Sequence, residues 1–168
     1  MTPRTSNLAS SNYKQIQLDG TNMCLAVQNY HSGIKQKQKV EMYTCKDKAD
    51  AGKNGQLWEY GSFGQNGYFI KLAGTNWCVD AIGGIKFDDG AHGWFGLYEC
   101  NYGENQELQF IGEDMPTYID LSAFPSDSSG EKLVFQPKSC IGKDNCTPPD
   151  RDEIVGSSEW PWPEFKLV

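Results

Sequence analysis

The chain has 168 residues, of which 38% are hydrophobic and 22% charged, and its formal net charge is −7. That acidic balance argues against nucleic acid, which requires a basic footprint, and against an anionic membrane surface. No apolar run approaches the ~20 residues needed to span a bilayer, so membrane insertion is not expected.

Residues 1–12 have no hydrophobic stretch of the kind a signal peptide carries. They read as an N-terminal extension, and residues 13–168 as a single domain. Strand-type alternation then recurs along the chain. It is seen in Ile16 to Leu18, Val40 to Tyr43, Leu57 to Tyr60, Tyr68 to Leu72, Leu97-Tyr98 and Leu108 to Ile111. It continues in Tyr118 to Leu121, Leu133 to Phe135 and Phe165 to Val168. Lys35, Lys37 and Lys39, alternating with glutamines, read as the solvated face of a further strand rather than as an anion site. Turn residues separate these runs: Asp19-Gly20-Thr21-Asn22, the Gly61 to Gly67 stretch, Gly83-Gly84, Asp88-Asp89-Gly90 and Ser126 to Gly130. Eight Tyr, eight Phe and five Trp favour strands over helices. Short strands at regular spacing imply an all-β barrel or sandwich with almost no helix.

The chain also repeats itself. Ile16-Gln17-Leu18-Asp19-Gly20-Thr21-Asn22-Met23-Cys24 returns as Ile70-Lys71-Leu72-Ala73-Gly74-Thr75-Asn76-Trp77-Cys78. Each copy reaches a second cysteine through a matching strand end, Met42-Tyr43-Thr44-Cys45 and Leu97-Tyr98-Glu99-Cys100. Each closes with a glutamine, Gln56 or Gln106, that opens an alternating run. A repeat of about fifty residues is one structural unit used several times. The expected units are 13–62, 67–112 and 116–168. The third is degenerate, with strands expected at its start, middle and end, and it lacks the Gly-Thr-Asn-x-Cys signature. Its Trp160-Pro161-Trp162-Pro163 segment cannot be a central strand, because proline has no ladder donor. It reads as an ordered loop whose tryptophans cover a barrel end, or else as an exposed aromatic surface.

Six cysteines in local pairs read as disulfides rather than metal ligands. The repeats propose Cys24–Cys45 and Cys78–Cys100, which leaves Cys140–Cys146. Each long loop so closed contributes about 3 kcal/mol in the chain-entropy model. With only His31 and His92 available, no metal site is expected. The disulfides point to a secreted protein whose leader has been removed.

Three four-stranded units, an early cysteine followed by an apolar residue and an aspartate, and Asn-Gln before an apolar strand resemble the ricin B-chain type β-trefoil lectins. The resemblance implies a β-trefoil: a six-stranded barrel capped by three hairpins, with pseudo-threefold symmetry and one potential sugar pocket per unit. It implies a glycan partner of galactose type, and no cofactor.

A hexose offers vicinal hydroxyls and a weakly apolar C–H face. A pocket for it needs a carboxylate to accept hydroxyl protons, amides to exchange donors and acceptors, and an aromatic plate. By the resemblance, unit two supplies Asp80 as the carboxylate, Tyr98 as the plate, and Asn105 and Gln106 as the amides. Gly83 would let backbone approach a ligand closely. Trp94, in the insertion that runs from Ile85 to Phe95, is a candidate second plate. Gly96 departs from the pattern, in which a polar residue often precedes the aromatic. Unit one has Ala26 where unit two has Asp80, and Gly55 before its glutamine, so it is expected to have lost its site. Unit three has no counterpart.

A structural reading stands beside this one. Asp80 would be a turn residue, Tyr98 core, and Asn105 and Gln106 scaffold. No catalytic motif is present, so no enzyme is expected. The alternative function is a protein-binding trefoil, an inhibitor or secreted effector, gripping its partner through the aromatics Phe87, Trp94 and Phe95 of the insertion.

Overall fold

A computed structural model describes residues 13–62, 67–82, 93–112, 114–123 and 132–168. The expected roles of Gly83 and of the insertion from Ile85 to His92 therefore lie outside the described residues.

The repeated Gly-Thr-Asn-x-Cys segment is a turn that hands one strand to the next. Gly20 and Gly74 both take the left-handed backbone, with φ of 78° and 71°. The Thr21 hydroxyl donates to the Leu18 carbonyl and accepts from the Met23 N–H. Thr75 repeats both bonds, with Leu72 and Trp77. The Asn22 and Asn76 carbonyls then receive the N–H groups of Cys45 and Cys100.

Among the described residues, twelve strands follow from this scheme. Unit one holds β1 (Ile16–Leu18), β2 (Met23–Val27), β3 (Val40–Thr44) and β4 (Trp58–Ser62). Unit two holds β5 (Tyr68–Leu72), β6 (Trp77–Ile82), β7 (Trp94–Glu99) and β8 (Leu108–Phe110). Unit three holds β9 (Ile119–Leu121), β10 (Val134–Pro137), β11 (Asp152–Ser157) and β12 (Phe165–Leu167). The only α-helix among the described residues is one turn, α1 (Lys48–Ala51).

The outer strands of the units close a barrel. β4 pairs with β5, β8 with β9, and β12 returns to β1, all antiparallel. Within units, Lys14 bridges Trp58, Thr117 bridges Phe165, and β5 packs beside β8. The inner strands form three hairpins, β2–β3, β6–β7 and β10–β11. These converge on one another: Met42 pairs with Asp152, Lys39 bridges Gly96, and β7 lies against β11. Six barrel strands capped by three hairpins make a β-trefoil.

Alternation places one face of every strand in a shared core. Trp58, Phe95, Phe135 and Phe165 are its largest fully buried side chains. Phe135 packs edge-on to Phe95 at 4.8 Å and to Phe165 at 5.9 Å, joining units two and three. The buried Trp58 indole donates to the Leu25 carbonyl at 3.0 Å. Disulfides Cys24–Cys45 and Cys78–Cys100 tie the two strands of hairpins one and two, and Cys140–Cys146 closes a short loop before β11.

Three expectations need correction. Unit three has a full fourth strand, β11, because Asp152-Glu153 pair with β3 and carry no alternation to reveal them. The Lys35–Lys39 run is not a strand: Lys37 has φ of 68° and the segment turns. Phe95 is not a loop aromatic but lies 1% exposed in the core.

A buried glutamine holds each hairpin to the barrel. Gln56 Oε1 accepts the Lys46 N–H at 2.9 Å, and its Nε2 donates to the Thr44 carbonyl at 3.0 Å. Gln106 makes the same pair with the Asn101 N–H and the Glu99 carbonyl. In unit three Pro163 stands at that position, two residues before the strand. Gln136 of β10 serves instead, donating to the Ser157 and Glu159 carbonyls. Removing one such side chain strands buried backbone groups. Gln56→Leu is predicted to cost about 2–4 kcal/mol, read as a lower urea midpoint at unchanged slope. A loss below about 0.5 kcal/mol would show that the amide is dispensable.

Candidate functional site

The second hairpin builds a pocket of about 410 Å³. Asp80 on β6 faces Gly96 on β7 across the ladder, and Tyr98 lies two residues along the same face. The 3₁₀ turn Glu104–Gln106 carries Asn105 to the rim and turns Gln106 inward. Asp80, Tyr98 and Asn105 all line the cavity, with Asn101, Glu104 and Lys37.

Asp80 is 5% exposed, and burial raises its pKa; the Gln106 hydrogen bond opposes that shift. Gln106 Nε2 donates to Asp80 Oδ2 at 3.0 Å. Among the described residues Oδ1 accepts no hydrogen bond. A buried carboxylate held by one oxygen, with the other unpartnered, is oriented to accept a donor from a ligand.

The expected site residues therefore separate. Asp80, Tyr98 and Asn105 come together. Gln106 is fully bonded within the protein and positions Asp80 rather than lining the cavity. Asp80 belongs to a strand, not a turn. Trp94 lies outside this cavity, in a neighbouring groove with Lys35, Lys37 and Lys39, where the Lys39 ammonium sits 5.6 Å from its ring.

Unit one repeats the geometry with different chemistry. Ala26 occupies the Asp80 position, but Glu41 faces it directly across the hairpin. Glu41, Tyr43, Gln56 and Arg151 line a smaller pocket of about 310 Å³. Glu41 is 5% exposed, and its Oε1 has no partner. Burial pushes its pKa up from 4.5 to about 7, Arg151 pulls the other way, and Asp150 adds to the rise. The sequence comparison tested the Asp80 position alone and so missed a carboxylate supplied by the opposite strand. In unit three Gln136 turns inward at the Asp80 position and Ser157 replaces the tyrosine.

The Trp160–Pro163 loop is only partly packed. Trp162 meets Tyr118 at 5.3 Å, while Trp160 is 66% exposed and so does not cover the barrel. Among the described residues no helix is long and apolar enough to cross a membrane, and no cluster of His, Cys, Asp and Glu could hold a metal.

The fold and pocket define a β-trefoil protein. The sequence matches no protein-family model and no curated protein. Its structure is similar to the designed threefold-symmetric protein ThreeFoil, with a TM-score of 0.64 at 17% identity over 93% of this chain and 97% of that one. It is similar to the Vibrio vulnificus hemolysin/cytolysin β-trefoil lectin, solved with N-acetyl-D-lactosamine bound. That match has a TM-score of 0.59 at 12% identity over 94% and 93% of the two chains. The Haemophilus ducreyi cytolethal distending toxin matches with a TM-score of 0.59 at 14% identity, over 94% of this chain and 83% of that one.

Glu41 generates a pH prediction. Its folded pKa lies above its ordinary value, so the folded state binds the extra proton between pH 4.5 and about 7. Its contribution is neutral below that window and unfavourable above it. Stability should fall as pH rises through the window, by on the order of 3 kcal/mol. Glu41→Gln should flatten this slope in chemical denaturation series. An unchanged slope would mean that the Glu41 carboxylate is solvated.

Proposed function

We propose that the protein is a secreted carbohydrate-binding β-trefoil that uses one pocket, the one around Asp80. The observation that carries this is the half-satisfied, buried Asp80 carboxylate facing a cavity shared with Tyr98 and Asn105. That is the acceptor, plate and amide a pyranose needs. The Vibrio lectin, with its bound N-acetyl-D-lactosamine, supports a sugar as the ligand on this scaffold, and a galactose-type sugar is the first to test. Three disulfides support an extracellular setting.

Binding, not catalysis, fits the cavity. Its two carboxylates serve different ends: Asp80 is tied to Gln106, whereas Glu104 sits exposed on the rim. Use of the insertion to grip a protein partner finds less support, because Phe95 is core and Trp94 is engaged by Lys39.

One shallow site with few polar anchors should bind in about the millimolar to tens of micromolar range. Asp80→Ala should abolish binding on a glycan array without unfolding the protein. Acidification should weaken it, since a protonated Asp80 loses its acceptor strength. Full retention of affinity by Asp80→Ala, with a normal melting temperature, would refute the assignment.

A further inference from the structure

We infer that the Asp80 pocket selects a glycan bearing an anionic substituent, a carboxylate or a sulfate, and that Lys37 is the group that meets the charge. The inference rests on the carbohydrate reading above and adds the class of sugar.

Lys37 does not belong to the second unit. It comes from the β2–β3 connection of unit one, and it lines the cavity beside Asp80 and Tyr98. Its delivery is a built feature. The Lys37 N–H donates to the Leu97 carbonyl at 2.6 Å, and the Leu97 N–H donates to the Gln38 carbonyl at 2.8 Å. Lys39 continues the contact as a bridge to Gly96. The buried Gln38 side chain locks the turn, accepting from the Lys35 N–H at 2.8 Å and donating to the Gln28 carbonyl at 2.7 Å.

Gly96 explains why this docking is possible. A Cβ there would stand 2.9 Å from the Gln38 carbonyl oxygen and 2.9 Å from the Trp94 ring. Any larger residue would lift the loop off β7. The departure from the lectin pattern at Gly96 is thus the seat of the loop that brings Lys37 in. Lys37 itself holds φ of 68°, a backbone state uncommon for a long side chain.

Among the described residues the charge is also uncommitted. Lys39 pairs with Glu153 at 3.3 Å, whereas Lys37 makes no ion pair among the described residues. Lys37 lines both the Asp80 cavity and the groove of Lys35, Lys39 and Trp94. The anionic group of a sugar seated at Asp80, or its acidic neighbour, would therefore be met by Lys37 in an otherwise acidic protein of net charge −7. A neutral glycan would leave that charge unmet.

The test is titration of the full chain with N-acetyllactosamine and with its sialylated and sulfated forms, at low salt and at high salt. At low salt at least one acidic form should bind about tenfold more tightly than the neutral one, as a charge-assisted contact gives. Which form does so tells carboxylate from sulfate. The preference should shrink at 1 M salt, where screening is effective beyond about 3 Å. Lys37→Gln should bring acidic and neutral glycans to the same affinity. Lys37→Asn, which tolerates the left-handed backbone, should do the same, and thermal melting should confirm that each variant folds. Equal affinities in the parent protein, or a preference kept by both variants, would overturn the inference while leaving the Asp80 site standing. If none of the three glycans binds, the carbohydrate reading fails and this inference falls with it.

Discussion

The carboxamide buried under each hairpin is the constraint on which the rest of this structure depends. A hairpin cap leaves backbone groups at its base that neither the barrel nor solvent satisfies. A glutamine side chain supplies both a donor and an acceptor there, and few other residues can. Gln56 and Gln106 do this at equivalent positions. Where Pro163 removes the side chain, Gln136 reaches in from a neighbouring strand. The scaffold need is met in full twice; in unit three Gln136 supplies only donors, its buried Oε1 having no partner among the described residues, and it occupies the strand position that carries Asp80 in unit two.

That constraint also explains why the pockets of the units differ in chemistry. Gln106 satisfies the backbone and has an amide hydrogen left to hold Asp80. In unit one the Asp80 position is Ala26, so Gln56 has no carboxylate there to hold, and its Oε1 accepts from the Gln15 Nε2 instead. The carboxylate of that pocket comes from Glu41 on the facing strand, where burial favours its protonated form. In unit three the amide itself fills the space. One scaffold thus yields one oriented carboxylate, one displaced to the facing strand with a raised pKa, and one absent.

Much of this was legible in the residues. The Gly-Thr-Asn-x-Cys repeats specify a turn with fixed hydrogen bonds, and they located both long disulfides. Period-two alternation placed the barrel strands, because each has one face in the core. β11 escaped because Asp152 and Glu153 lie on a partly exposed stretch, and its pairing with β3 comes from the far end of the chain. The candidate site was legible only where its residues are local. Asp80, Tyr98 and Asn105 belong to one repeat and one motif. Lys37 reaches the pocket by docking across units through Gly96, a long-range packing event with no local signature. Gln106 is bonded into the scaffold as Gln56 is, and adds a positioning contact that depends on the partner at residue 80. Trp94 was misplaced for a related reason: its neighbour is a lysine groove formed by another unit.

The central claim is that ligand recognition is confined to the pocket that Gln106 and Asp80 organise. Backbone amide NMR of the isotope-labelled protein, titrated with N-acetyllactosamine and its acidic forms, tests this most directly. The account predicts saturable shifts confined to residues around Asp80, Tyr98, Asn101 to Asn105 and the Lys35–Lys39 turn. Shifts centred on Glu41 and Tyr43, or on Trp160 and Trp162, with the Asp80 region silent, would contradict it.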